Sequence, residues 1–426
     1  MKTLIKNGLV IDPVDKIEEI MDVFLSAGKI CKVAKDIKTT ADVVIDAKDK
    51  IVMPGIVDMH VHLREPGRED KETILTGTRS AAKGGVTSVL AMPNTLPAID
   101  CVKNVKILKG IVKKNACIDV FIAGAITHGR LGRELCDFGL FKKEGLLAIS
   151  DDGTSVDDSG IMLEAFTKAK KEKLLVICHS EDRTLSGKGL VNLGFTSTRL
   201  GLRGVSNESE SKRVERDIKL AAKVGANVHI AHVSCRESIE MIAGAKKKGI
   251  KVTAETAPHY FSLSEEEVLN YNTNMKINPP LRSMDDVKAI KEGLKSGVID
   301  VIASDHAPHT ENEKDIEFEY AASGTIGLET GLAVCITELV HTGLLGWSDL
   351  VRKVSVNPAK ILGIEKGSLG VGSDADVVIL SPEKEWMVNK EDFISKSKNS
   401  AFLGKRLKGL VEHTICKGKL VYTKTD

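Results

Sequence analysis

The chain reads as an α/β protein, a TIM-like (β/α)8 barrel with a small β-sandwich domain formed by both chain ends. Three observations predict this. Between about residues 55 and 365, short apolar runs alternate with longer charged stretches of helical period, and eight such runs are present. The helical stretches repeatedly close on glycine, as at Gly84, Gly225, Gly249 and Gly297, where a left-handed capping residue is expected before the next strand. Residues competent for metal or acid–base chemistry sit where the apolar runs stop, the face of a parallel barrel at which chemistry gathers.

In chain order, residues 1–54 read as short strands with turns at Asn7-Gly8 and Ala27-Gly28. Barrel strands are expected near 56–60, 87–92, 118–126, 146–150, 174–179, 227–232, 251–256 and 300–304. A polar, strand-poor segment follows at 306–324, rich in Glu and Lys; it reads as a lid, with a plain surface loop as the alternative. The strand pattern of the start resumes near the end, in Asp376-Val377-Val378-Ile379-Leu380 and Thr414-Ile415-Cys416-Lys417-Gly418. Neither end can bury both faces alone. The expected division is therefore a composite domain of 1–54 with 366–426, beside a metal-dependent catalytic barrel over 55–365.

Bulk properties narrow the function. The 426 residues, 42% hydrophobic, can bury an ample core, and 61 Lys+Arg against 59 Asp+Glu leave a formal charge of only +2. That balance gives no electrostatic reason to bind nucleic acid or an anionic membrane, so a small-molecule substrate is expected. Eight cysteines, at 31, 101, 117, 136, 178, 235, 335 and 416, are scattered without a C-x-x-C pair and read as reduced thiols. Cys178 and Cys235 lie near site candidates, but neither has an activating pattern, and packing is the preferred reading. The start, Met1 to Gly8, lacks the apolar stretch of a signal peptide and no run approaches a membrane span, so a cytoplasmic enzyme is expected.

The strongest local signal is His60-Val61-His62-Leu63-Arg64, directly after the apolar run Ile51 to Asp58. Side chains at i and i+2 of a strand emerge on one face, so the two imidazoles can meet one cation while Arg64 extends the polar edge. Further ligand types end other apolar runs: His179 after Leu174 to Cys178, His232 after Asn227 to Ala231, and Asp305 after Asp300 to Ser304. Asp151-Asp152 follows Leu146 to Ser150, and strand alternation alone leaves open which carboxylate faces the site.

Pro54-Gly55-Ile56-Val57-Asp58-Met59-His60-Val61-His62, with the distant His, His and Asp, resembles the amidohydrolase superfamily. Five segments are more narrowly similar to the long bacterial (class I) dihydroorotases: His60 to Gly67, Met92-Pro93-Asn94-Thr95, Ser150-Asp151-Asp152-Gly153, Lys276 to Arg282, and Asp305-His306-Ala307-Pro308-His309-Thr310. The resemblance implies two zinc ions per subunit, one on His60 and His62, the other on His179 and His232, bridged by Asp152. It places Asp305 at the metals beside the attacking water as general acid/base. It implies Arg64, Asn94, Asn278 and His309, with backbone near Ser323 and Gly324, as substrate contacts. The reaction would be the reversible cyclisation of N-carbamoyl-L-aspartate to L-dihydroorotate plus water in pyrimidine biosynthesis, with metal-activated hydroxide as nucleophile in the hydrolytic direction.

Relatives that use a carboxylated lysine as bridge, such as hydantoinases, fit less well, because no lysine occurs between Gly145 and Gly153. Where the family usually has Pro-Phe-Gly, this chain has Ala322-Ser323-Gly324. Two other readings stand beside the leading one: allantoinase or dihydropyrimidinase chemistry, and an inactive scaffold for aspartate transcarbamoylase. Binding of aspartate transcarbamoylase by an active enzyme, and a homodimer, are open expectations. His229 and His306 read equally as supports for ligands or as structural residues, His259 has no assigned role, and His128, His341 and His413 read as surface or structural.

Overall fold

The computed structural model describes residues 2–425. The chain begins with β1 (Lys2–Asp12), β2 (Ile17–Ser26), β3 (Lys29–Ala34), β4 (Val43–Asp46) and β5 (Ile51–Pro54). Barrel strands follow: β6 (Ile56–Val61), β7 (Val86–Ala91), β8 (Asp119–Gly124), β9 (Ala148–Ile149) and β10 (Leu175–Cys178). A short parallel pair, β11 (Val191–Asn192) with β12 (Gly204–Val205), interrupts the series before β13 (Val228–Ile230), β14 (Val252–Thr256) and β15 (Val301–Ile302). The chain returns through β16 (Val377–Met387), β17 (Arg406–Cys416) and β18 (Lys419–Thr423).

The eight barrel strands pair in parallel in the order β6-β7-β8-β9-β10-β13-β14-β15. The seam between the last and first is bridged where Val61 meets His306 and the His62 N–H donates to the His306 carbonyl at 2.9 Å. Asp58 reinforces the seam by accepting the Ser304 N–H, 3.2 Å from each carboxylate oxygen. Val57, Met59, Leu90, Ile177, Ala231, Val301 and Ala303 form one apolar cluster in the barrel, and a larger cluster includes Ile74, Val105, Phe166, Ile218, Ile242 and Ile290 from the surrounding helices. Those helices start where the sequence supplies caps: Thr73, Asp158 and Ser283 each accept a first-turn N–H. The expected strand positions all fall on observed strands.

Both ends of the chain join one eight-stranded sheet, in the order β18-β17-β16-β5-β1-β2-β3 with β4 on β1. The joint is the antiparallel pairing of β16 with β5, Val377 opposite Pro54 and Leu380 opposite Ile51. This sheet has its own core, including Ile5, Val10, Val23, Leu25, Val52, Val377, Ile379 and Ile415. Lys366 ties it to the barrel: its ammonium lies 2.8 Å from Asp119 at the start of β8, 2.9 Å from Asp374 and 2.6 Å from Asp376.

Two local expectations need correction. Asn7-Gly8 is not a turn; it lies inside β1 as a bulge, where the pairing with β2 slips between Ile5 and Gly8 and Asn7 adopts φ 63°. Gly84 is not the left-handed cap, since its φ is −82°; Gly85, at φ 84°, makes that turn. Ala27-Gly28 does turn β2 into β3, with positive φ at both residues. Among the described residues no helix is long and apolar enough to cross a membrane.

Candidate active site

The strands deliver the candidate ligands to one end of the barrel. β6 advances three residues from Asp58 to Val61 while β7 advances two, from Val89 to Ala91, so a bulge lies in the stretch that carries His60. The His60 and His62 rings then lie 5.4 Å apart. Asp152, His179, His232 and Asp305 follow β9, β10, β13 and β15, and the turns there are sharp enough that His232 and Asp305 hold positive φ, 35° and 47°.

All six side chains are buried and converge. Oδ1 of Asp152 lies 3.3 Å from Nε2 of His60, 3.5 Å from Nδ1 of His179 and 3.5 Å from Nε2 of His232; its Oδ2 lies 3.5 Å from Nε2 of His62. Asp305 Oδ1 lies 3.1 Å from His62 Nε2 and 3.7 Å from His60 Nε2. The alternation left open at 151–152 falls one way: Asp151 turns back to accept the Ile126 and Thr127 N–H groups, while Asp152 faces the histidines. Ligand atoms of His60, His62 and Asp305, and of His60, Asp152 and His232, form two sets each within 4.8 Å, so His60 belongs to both.

The donor set fits divalent cations. His60 Nε2 and Asp152 Oδ1 are buried without a hydrogen-bond partner, and His179 Nδ1 faces His232 Nε2 at only 2.8 Å, two ring nitrogens of which at most one can donate in a neutral pair. The local field attracts positive charge. Burial opposes ionisation at Asp152, but the charge of His60 and the close approach of His179 and His232 hold it well below the usual carboxylate range. Burial likewise opposes charge on His179, yet Asp152 and Glu181 raise it to about 9. Asp305 is also held down, burial being outweighed by its bond to His62 and the charges of His60 and His62. Carboxylates held ionised against imidazoles that stay protonated are the arrangement in which a divalent cation would displace protons.

Beside this cluster stand the expected substrate contacts. Arg64 donates through Nε to the Pro308 carbonyl at 3.1 Å, and its Nη2 lies 3.4 Å from Nε2 of His309. His309 Nε2 is 2.9 Å from the Ser323 carbonyl. Asn94 presents Oδ1 to His62 Nδ1 at 2.8 Å, so it orients that ring and keeps its amide NH2 for other partners. Asn278 Nδ2 lies 3.3 Å from Glu181. The Gly324 N–H is already committed to the Lys276 carbonyl at 2.8 Å, leaving the Ser323 N–H as the donor of that pair with no partner among the described residues. Gly324 has φ 145°, and a Cβ there would come within 2.9 Å of the Ala307 Cβ and 3.0 Å of His309, so glycine lets this loop pass the site. In the 306–324 segment, residues 306–309, Lys314, Phe318, Ala321 and Gly324 are buried and most of the rest are exposed.

The chain matches a family described as Dihydro-orotase-like over residues 49–238 and one described as Amidohydrolase family over 275–422. It is 50% identical over 420 residues to a dihydroorotase of Elusimicrobium minutum, covering 99% of this chain and 97% of that protein. A dihydroorotase of Pelotomaculum thermopropionicum is 49% identical over 422 residues, covering 99% and 98%. The chain belongs to the dihydroorotase family. Among solved structures, an L-hydantoinase from Arthrobacter aurescens superposes with a TM-score of 0.90 at 25% identity, over 100% of this chain and 96% of that one. A D-hydantoinase gives 0.88 at 25%, over 99% and 95%. The fold is thus that of the cyclic amidohydrolases, and the sequence places the chain on the dihydroorotase branch.

Several residues that shape this dihydroorotase-family site were not picked out from sequence. Glu255 of β14 lies 2.5 Å from His60 Nδ1 and 3.2 Å from Nε2 of His229, whose Nδ1 is 2.8 Å from Thr253 Oγ1. Burial opposes its charge, but His60 and His229 bring Glu255 down to about 2. A lone acid in the otherwise uncharged run Val252-Thr253-Ala254-Glu255-Thr256 was the available signal. Glu181 lies 3.3 Å from His179 Nε2, and the Arg130 guanidinium donates to the Asp152 carbonyl at 2.6 Å. Asn399 carried no signal at all: it accepts the His309 N–H at 3.0 Å and donates to the carbonyls of Ala307 and Gly324, both at 3.1 Å. Of the other histidines, His306 is 3.3 Å from Glu72, and His259 is fully buried with Nε2 unpartnered, its pKa lowered to about 4 by burial. His128 is exposed, and His341 and His413 sit away from the cluster. Cys178 and Cys235 are buried, and burial pushes both thiols well up, which matches the packing reading.

Proposed function

We propose that the protein interconverts L-dihydroorotate and N-carbamoyl-L-aspartate, the ring-closing step of pyrimidine biosynthesis, and that it carries two zinc ions bridged by Asp152. The observation that carries the reading is the juxtaposition of a buried His/Asp cluster, His60, His62, Asp152, His179, His232 and Asp305, with the donor pair Arg64 and His309. His60 and His62 would hold one ion, His179 and His232 the other. When bound, the ions would polarise the ring amide carbonyl and lower the pKa of an attacking water.

The chain's own residues divide the remaining work. The Arg64 guanidinium and the His309 N–H hold the substrate carboxylate, with Asn94 and Asn278 and the backbone at Ser323 and Gly324 fixing the ring. Asp305, kept ionised by its neighbours, accepts a proton from the attacking water and passes it to the ring nitrogen as the C–N bond breaks. Cyclisation runs the same path backwards, with Asp305 giving the proton to the departing water. Residues 55–365 would form the catalytic unit and 1–54 with 366–426 the supporting one, although residues 389–401 of that second stretch reach the site through Asn399. Asp152 as bridge favours this reading over hydantoinase chemistry.

The deciding experiment is zinc-supplemented turnover of L-dihydroorotate to N-carbamoyl-L-aspartate, with allantoin and dihydrouracil as competing substrates and a chelated control. Selective, chelator-sensitive hydrolysis is expected. Turnover of allantoin or dihydrouracil in preference to L-dihydroorotate would overturn the substrate assignment. No turnover by metal-loaded, folded protein would favour a scaffold for aspartate transcarbamoylase instead.

A further inference from the structure

Lys71 lies in the segment between β6 and the helix Ile74–Lys83, buried, with its ammonium 3.1 Å from Nδ1 of His309. An ammonium can only donate, so Nδ1 must be the bare, accepting nitrogen of the ring. The ring proton of a neutral His309 then sits on Nε2, and that N–H meets the Ser323 carbonyl at 2.9 Å. The contact of Arg64 Nη2 with the same nitrogen, at 3.4 Å, is consequently a meeting of two donors and not a hydrogen bond. Two N–H donors side by side, one of them cationic, are what a carboxylate requires.

We propose that Lys71 is a positioning residue that fixes the tautomer of His309, so that His309 offers an N–H beside Arg64 to the carboxylate of the substrate; the inference rests on the function proposed above. The charged groups that face His309 are Arg64 and Lys71 from the segment after β6, and Glu313 and Lys314 from the short helix Glu311–Lys314. Burial and the charges of Arg64, Lys71 and Lys314 act together to keep the ring neutral, bringing it down to about 2. Glu313 is the one group that would reverse the arrangement. Its Oε2 lies 3.5 Å from Nδ1, but its Oε1 is held by Lys71 at 2.8 Å and by Arg68 at 2.9 Å. Without Lys71, Glu313 becomes the acceptor at Nδ1, the proton moves there, and Nε2 turns a lone pair toward the carboxylate.

The test combines ¹⁵N-histidine NMR of the zinc-loaded protein with kinetics, the His309 resonances being assigned by their loss in His309→Asn. Wild type is expected to show bare Nδ1 and protonated Nε2 between about pH 6 and 9, bracketing the ordinary histidine pKa. In Lys71→Met the proton is expected on Nδ1, or the ring is expected to titrate within that range. KM for L-dihydroorotate should rise about tenfold or more, increasingly so as pH passes the imidazole pKa, with a smaller change in kcat. Lys71→Arg, another pure donor, should restore both the tautomer and most of KM. A wild-type ring protonated on Nδ1 overturns the proposal without recourse to any variant. So does a Lys71→Met protein with unchanged tautomer and KM, or a Lys71→Arg protein no better than Lys71→Met. If wild type fails to turn over L-dihydroorotate, the functional reading falls while the NMR still decides the role of Lys71.

Discussion

Replacing Glu255 by Gln changes one oxygen into an NH2 at constant volume, in a side chain only 1% exposed. The Glu255 carboxylate accepts from His60 Nδ1 at 2.5 Å, which fixes the ring proton there and leaves Nε2 bare, directed at Asp152 Oδ1 3.3 Å away. Its other oxygen lies 3.2 Å from Nε2 of His229 without making a hydrogen bond to it. A glutamine can keep its oxygen on His60 Nδ1 only by turning its NH2 toward His229, and in the opposite orientation the His60 N–H confronts an amide N–H. It also removes the negative charge that raises the basicity of His60. Partners of this kind are worth about 10- to 100-fold in metal affinity, or about 1.4–2.8 kcal/mol. Zinc affinity should fall by that factor in Glu255→Gln, measured by competition against a chelator of known affinity, with thermal unfolding as a control for the fold. Turnover at saturating zinc should recover much of the wild-type rate, because Glu255 touches the proposed ligand His60 and not the reacting atoms. An affinity within twofold of wild type would refute the assignment of His60 as a ligand held in this tautomer.

Asp305→Asn should retain metal, by elemental analysis, and lose about 10²- to 10⁴-fold in kcat, the usual share of an acid–base group; asparagine tolerates the φ of 47° at this position, so normal turnover would remove Asp305 as the proton carrier. Arg64→Ala should raise KM for L-dihydroorotate about tenfold or more while kcat changes less, since the lost contact holds a carboxylate remote from the scissile bond; a kcat-only effect in steady-state kinetics would contradict that role. Lys353, buried with one carbonyl partner at 2.8 Å, has its pKa lowered to about 8 by burial from 10.5. The unfolded chain therefore binds a proton that the folded chain has released, and stability should rise with pH between about 8 and 10.5. Urea unfolding at pH 8 and 9.5 should show wild type gaining about 1–2 kcal/mol that Lys353→Met does not gain, and parallel curves would contradict it.

The barrel was legible because apolar runs and helix-period stretches alternate along the sequence, and the candidate ligands because most of them directly follow an apolar run. Where apolar runs outlast the paired strand the match loosens: the runs near 146–150 and 300–304 contribute only Ala148–Ile149 and Val301–Ile302 as strand. Asn7-Gly8 carries the composition of a hairpin turn, and only the pairing of its neighbours across β2 and β4 shows a bulge. Glu255 hides inside an apolar run instead of ending one. Lys71 and Asn399 act on His309 from 238 and 90 residues away, and no local pattern encodes such contacts.

The cyclic amidohydrolase barrel by itself does not select a substrate, since its cluster of histidines and carboxylates serves any ring amide. Selection must come from groups that are costly to leave unpaired. Arg64 and His309 place two donors 3.4 Å apart in a buried setting, and each is steadied by a carbonyl, Pro308 for Arg64 and Ser323 for His309. Those carbonyls stabilise the donors, but no carboxylate bonds the guanidinium directly, and burial outweighs the more distant Asp305, Asp152 and Glu313 to lower the Arg64 pKa to about 10. A ligand bearing a carboxylate neutralises that charge, and it bonds to the His309 N–H by sharing it with, or taking it from, the Ser323 carbonyl. A ring without one expels water from the pair and offers nothing in return, and sites of this construction discriminate far more strongly than apolar pockets that sense a missing methylene. The physical case for a carboxylated cyclic amide therefore rests on the arginine and histidine beside the cluster, and the cluster itself is silent on it.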